Sequence, residues 1–281
     1  MKKILKLLFV LSILIITTIY IDNLYKSTNI LSNVIDNPTN NNTNEITNKI
    51  FKVLLKENTL NPIYKLNNKD FKKEKPIILK EPTIYIYNTH QTESYQNFKN
   101  NTYDFTPTVI TVSHLLEDFL EESGLNVLVE ERDIIKVLNE RKKKYSYTYV
   151  VSREYMEEMK KKYPSLIYFI DIHRDGVPNK SITTTKINNK DYAKIMFLLG
   201  QNRKEYKENL NIIKILENDL EKHYPSITRK TYIQPKYDYN QDFNNTTFLI
   251  EMGSSFNTME EVYNSTEALS QTLIRYFKGE L

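Results

Sequence analysis

Cysteine is absent from the 281 residues, glycine occurs five times and histidine four times. Without cysteine there is no disulfide, no thiolate metal ligand and no cysteine nucleophile. So few glycines argue against a dinucleotide-binding or Walker-type phosphate loop, and neither pattern occurs. Serine hydrolysis is poorly supported too. Ser94 lies near His90, and Ser254 and Ser255 follow Gly253, but neither site has a G-x-S-x-G frame. A strong excess of one charge is also missing. The formal net charge is +4, of which Lys2, Lys3 and Lys6 contribute three positive charges, and residues 1–21 hold no acid. The remainder, at +1, lacks the electrostatic footprint of a nucleic-acid binder.

What the chain does have is ample aromatic material, 21 Tyr and 12 Phe, and a length that suits one catalytic domain plus appendages. Residues 4–21, ILKLLFVLSILIITTIYI, are almost wholly apolar. As a helix they rise about 27 Å, close to the roughly 30 Å of a bilayer's hydrocarbon core. The lysines on their amino side predict a cytoplasmic start and an exported remainder. No small-residue cleavage triplet follows, so an uncleaved transmembrane anchor over 1–21 is favoured over a signal peptide. Residues 22–80 open with a stretch rich in Asn, Thr and Ser. That composition reads as a tether and lead-in, with a short amphipathic helix as one reading of IFKVLLKEN. The folded domain is placed at 81–281.

Within that domain hydrophobic runs alternate with helical periodicity. Strands are expected at 83–89, 126–130, 165–173, 193–200, 228–233 and 246–253, and helices at 106–124, 152–164, 203–225 and 258–277. The alternation predicts an α/β fold with a mixed, mostly parallel sheet covered on both faces.

Three of the predicted strands end in polar clusters: IYIYNTHQTES, LIYFIDIHRDG and TFLIEMGSSFN. Chemistry in open α/β sheets collects outside the carboxyl ends of the strands. His90, Glu93 and His173 are the residue types that hold zinc, and Glu251 is an acid on a buried run, costly unless paired or functional. Each also has a plainer reading. H-x-x-E recurs by chance, His173 could be a satisfied strand-end histidine beside turn-forming Asp171 and Asp175, and Glu251 could pair with a buried arginine. His114 and His223 fall on predicted helices and read as structural or surface residues. Taken together, two His and two Glu at strand ends favour a metal-assisted hydrolase. Glu251 would then be the general base, and Arg174, Asp171 and Asp175 would be nearby candidates for oxyanion or ligand support. Asn240, Gln241, Arg153 and Arg229 are candidate substrate contacts.

These same residues resemble the stage II sporulation protein P family of endospore-forming bacteria. THQTESY (89–95), DIHRDG (171–176), YNQDF (239–243) and LIEMGSSFNTMEE (249–261) are similar, in order, to that family's motifs. Where relatives often carry Gly-Gly after the acid, this chain has Met252, Gly253 and Ser254. The resemblance implies a three-layer sandwich of the phosphorylase/hydrolase-like kind shared by zinc-dependent amidases and exopeptidases. It also implies a Zn2+-dependent N-acetylmuramoyl-L-alanine amidase acting on peptidoglycan, with endopeptidase activity on cross-linked stems. It places the protein in the membrane through its N-terminal helix, between the mother-cell and forespore membranes during engulfment. Partners there would be stage II sporulation proteins D and M. The alternatives are a metallopeptidase of carboxypeptidase type and a non-catalytic wall-binding scaffold.

Overall fold

The computed structural model describes residues 49–50, 53, 81–96, 98–99, 104–203 and 205–281. The predicted anchor and the Asn/Thr-rich tether lie outside them. Among the described residues no helix is long and apolar enough to cross a membrane.

The elements run β1 (Ile84–Tyr87), β2 (Phe98–Lys99), β3 (Asp104–Phe105), α1 (Val109–Glu122), β4 (Val127–Val129), α2 (Ile134–Glu140), α3 (Thr148–Lys162), β5 (Tyr168–Asp175), β6 (Thr184–Ile187), β7 (Lys190–Ala193), β8 (Ile195–Gly200), α4 (Tyr206–His223), β9 (Tyr232–Gln234), β10 (Thr247–Ser254) and α5 (Met259–Phe277). The central sheet has the order β4-β1-β5-β10-β8-β9. All neighbours are parallel except β10 and β8, so the fold is mixed α/β with a largely parallel sheet, as the alternation predicts.

The layering follows from handedness. From β1 the chain steps outward through α1 to β4, then returns past β1 through α2 and α3 to β5. Right-handed crossovers in opposite directions leave their helices on opposite faces. Accordingly α1, α5 and α4 pack side by side, and α2 packs with α3. The α3 face holds Tyr85, Tyr87 and Phe169 against Met156 and Leu166. Alternate strand residues share a face, and Tyr87 is in register with Asp171. Asp171 and His173 therefore also lie on the α3 side.

The packed unit runs from Lys49 to Leu281, reaching back beyond the sequence boundary at 81. Ile50 and Val53 are fully buried, and Lys49 sits 5.3 Å from the Phe119 ring centre of α1. Three features escaped the periodicity reading. Helix α2 is only seven residues long and is capped by the Asp133 side chain. The β6–β7 hairpin turns through Asn188 and Asn189, both at positive φ (48° and 63°), between strands with no apolar alternation. The strand expected over 228–233 narrows to a bridge at Thr228 and the short β9.

Candidate metal centre

The segment after β1 is pinned to β5 before it turns. Asn88 donates to Ile172 O (2.8 Å), Thr89 N to Asp171 Oδ1 (2.9 Å) and Thr89 Oγ1 to Asp171 Oδ2 (2.6 Å). A tight turn then closes with Glu93 N donating to His90 O (3.0 Å). It brings His90 Nδ1 to 3.2 Å from Glu93 Oε1. The other carboxylate oxygen, Oε2, accepts from Arg174 N (2.9 Å) and lies 3.4 Å from His173 Nδ1. One ligand atom each from His90, Glu93 and His173 falls within 4.8 Å of the others. The two imidazoles cross at 79° with centres 4.9 Å apart.

Glu251 joins them through the sheet. It is the register partner of His173 on β10, so both side chains leave the sheet on one face. Its Oε2 is buried without a hydrogen-bond partner. The register then shifts between Glu251 and Ser254, where Gly253 takes φ 69°. A Cβ at Gly253 would lie 2.6 Å from Asn257 Oδ1, so this one glycine supports the turn after the acid. Asn257 in turn ties Ser254 to Thr183, Thr184 and Glu261.

The electrostatics favour a cation. Burial works against charge on both Glu93 and His173, but their mutual contact outweighs it. Glu93 is held down at about 2 by His173, His90 and Arg174 N. The His173 imidazolium is held well above the ordinary histidine range by Asp171 and Glu93. Burial pushes Glu251 up from 4.5 to about 7, with His173 opposing and the neighbouring carboxylates adding to the rise. His173 Nε2 lies 3.0 Å from Asp171 Oδ1 but off the hydrogen-bonding direction. Two imidazole nitrogens and a carboxylate held ionised make a donor set that fits zinc, which takes N and O ligands in a compact tetrahedral group; His173 would give up its proton when a metal binds. Asp171, fully buried, supplies the carboxylate that such ligand histidines commonly lean on.

The remaining sequence candidates are placed as follows. Arg174 makes no ion pair with the Asp171 or Asp175 carboxylate; its Nε donates to Ser94 O (3.0 Å) and its Nη1 to the Asp175 backbone O (3.5 Å). Asp175 is bound instead by Arg229 (2.5 Å). Arg153 is engaged with Glu157 and Asp242. Gln241 is fully buried, accepting from Gly200 N (2.8 Å) and donating to Leu198 O (2.7 Å), so it braces β8 and cannot reach a substrate. The Asn240 amide donates to Tyr149 O and Ser152 Oγ, a link between loop and helix. His114 is buried against Glu117 (3.0 Å) and His223 lies beside Asp219 (3.3 Å), both away from the cluster. Sequence reasoning did not single out Tyr149 and Tyr145. Tyr149 crosses His90 edge-on at 5.4 Å, and Tyr145 stacks on it at 5.2 Å. No spacing or motif marks either residue.

The profile of the stage II sporulation protein P family matches residues 15–274. The stage II sporulation protein P of Bacillus subtilis is 31% identical over 195 residues, covering 66% of this chain and 48% of that protein. The chain thus spans about half the length of the curated relative it matches. Among solved structures, N-acetylmuramoyl-L-alanine amidase AmiC2 of Nostoc punctiforme aligns with TM-score 0.43 at 11% identity, covering 70% of this chain and 97% of that one. The CwlD amidase from Clostridioides difficile, solved in complex with the GerS lipoprotein, gives TM-score 0.46 at 16% identity over 70% and 97%. Likenesses at that level decide nothing about chemistry.

Proposed function

Because the chain belongs to the stage II sporulation protein P family, we propose that it is a zinc-dependent peptidoglycan hydrolase acting in sporulation, cleaving the amide between N-acetylmuramic acid and the stem peptide. The observation that carries the proposal is the convergence of His90, Glu93 and His173 on one point, with Glu251 in register beside His173. Membership of the family supports the substrate; the donor set supports the metal.

His90, Glu93 and His173 would hold the ion. Zinc, when bound, supplies an activated water and polarises the scissile carbonyl. Glu251 accepts a proton on its buried carboxylate and returns it to the leaving amine, a task suited by a carboxyl pushed up to about 7. Asp171 faces the His173 ring at 3.0 Å and favours its positive charge, and Arg174 N holds Glu93. The Arg174 guanidinium donates to the Ser94 carbonyl, so it holds the ligand turn and is the cation beside His173 placed to meet a developing oxyanion. Cleavage of stem cross-links, membrane anchoring through residues 1–21, action between the mother-cell and forespore membranes, and partnership with stage II sporulation proteins D and M complete the proposal.

Digestion of purified sacculi tests it. Glycan freed of intact stems is expected by mass spectrometry, with release stopped by a chelator and restored by zinc. Split cross-links alone would mean a metallopeptidase, and no release under any metal would leave a wall-binding scaffold.

A further inference from the structure

The Tyr-Asn-Gln-Asp segment has no part in the hydrolysis outlined above, yet the fold holds it firmly. It belongs to the stretch 235–243, which passes from the end of β9 across to α3. Gln241 fastens it to β8. Gly200 leaves room for the crossing, since a Cβ there would lie 2.3 Å from Tyr237 O. Asn240 fastens the other side to α3 through Tyr149 O (2.9 Å) and Ser152 Oγ (3.0 Å). Tyr239 and Asn240 are both held at left-handed backbone angles, φ 51° and 58°. That conformation is unfavourable for a bulky side chain and persists only where the surroundings enforce it.

What the stretch presents is a line of rings. Tyr149 stands 5.4 Å from His90, Tyr239 stands 5.7 Å from Tyr149, and Tyr237 stands 5.7 Å from Tyr239. The line starts at His90, whose ring Tyr149 meets edge-on. Among the described residues the exposed tyrosines are Tyr145 (44%), Tyr232 (51%) and Tyr237 (59%). Two of them adjoin this strip: Tyr145 stacks on His90 and Tyr237 packs on Tyr239.

Flat apolar rings with hydroxyl tips match a pyranose, which has a C–H face and a polar rim. A stem peptide carries carboxylates and asks for cations, but Arg153, which reaches this stretch, is already paired with Asp242 (2.9 Å). We infer that Tyr149, Tyr239 and Tyr237 form a platform for the sugar rings of the glycan strand, leading outward from the metal centre. The inference rests on the peptidoglycan reading of that centre.

Binding of the full chain to glycan stripped of stem peptides, and separately to free stem peptide, tests it, because neither probe contains the scissile amide. Tyr237 is exposed, and a melting curve checks that its truncation leaves the fold intact. Tyr237→Ala is expected to weaken stripped-glycan binding roughly tenfold, to change stem-peptide binding less than about twofold, and Tyr237→Phe to keep glycan affinity. Unchanged glycan affinity in Tyr237→Ala, a loss confined to stem peptide, or no glycan binding by the parent chain would overturn the platform. Sacculus digestion run alongside keeps the two readings apart. Hydrolysis without the Tyr237 effect overturns the platform alone; the Tyr237 effect without hydrolysis overturns the hydrolase and leaves the platform standing.

Discussion

Asp171 and His173 share one face of β5, and Asp171 Oδ1 lies 3.0 Å from His173 Nε2 while Glu93 Oε2 lies 3.4 Å from the other ring nitrogen. The ring thus lies between two carboxylates. Asp171 is itself clamped by Thr89 N and Oγ1, so the carboxylate beside His173 is held by the segment that carries His90 and Glu93. Asp171→Asn should lower zinc affinity about 10- to 100-fold, read by competition with a chromophoric chelator. His90→Ala and His173→Ala should each fail to retain stoichiometric zinc in elemental analysis; retention by both would dismantle the assignment.

Glu251→Gln should keep bound metal, because Glu251 is not among the three proposed ligands. Hydrolysis of sacculi should fall about 10²- to 10⁴-fold, the usual contribution of a positioned acid–base group. Muropeptide release at the parent rate would remove Glu251 from its role.

The same variant carries a stability signature in metal-free protein. Glu251 titrates at about 7 when folded against an ordinary 4.5. Between those values the folded state keeps a proton that the unfolded state has released. Stability therefore falls as pH rises through that window, with the full loss present above it. Glu251→Gln lacks this penalty. It should be more stable than the parent by about 3 kcal/mol at pH 8 and equal to it at pH 4, measured by urea unfolding in the presence of a chelator. A parent stability that rises from pH 5 to 7 by the same measure, relative to the variant, would contradict the sign.

Gly200→Ala should destabilise by about 1–3 kcal/mol. The added methyl would meet the backbone of Tyr237 and Asp238 at 2.3 to 2.9 Å, and backbone gives way less readily than a side-chain tip. An unchanged unfolding midpoint would show that the 235–243 stretch shifts freely.

A chain starting at residue 81 should be less stable than one starting at residue 49 by at least about 2 kcal/mol, since it omits two fully buried side chains, Ile50 and Val53. Equal midpoints would mean that this stretch adds nothing to the core.

Much of this molecule was legible without coordinates. The runs around Ile84, Ile170 and Phe248 are buried on both faces, so they read as continuous hydrophobic strands, and their polar ends marked His90, His173 and Glu251. The helices α1, α4 and α5 showed their apolar stripes. Features without periodicity stayed hidden: the short α2 and the hairpin turning at Asn188 and Asn189. Motif membership also did not reveal role. Asn240 and Gln241 sit in a recognisable motif, but their amides bond to α3 and to β8, which only the folded chain displays.

Sequence by itself determined the residue chemistry, the strand ends and the order of the elements, because periodicity and side-chain type are local properties. Tertiary structure alone decided that Glu251 lies beside His173, that Asp171 rather than Asp175 faces the His173 ring, and that Tyr149 borders the site. Those relations depend on strand register and crossover handedness, set by backbone hydrogen bonds between segments some 80 residues apart, and no local pattern encodes them.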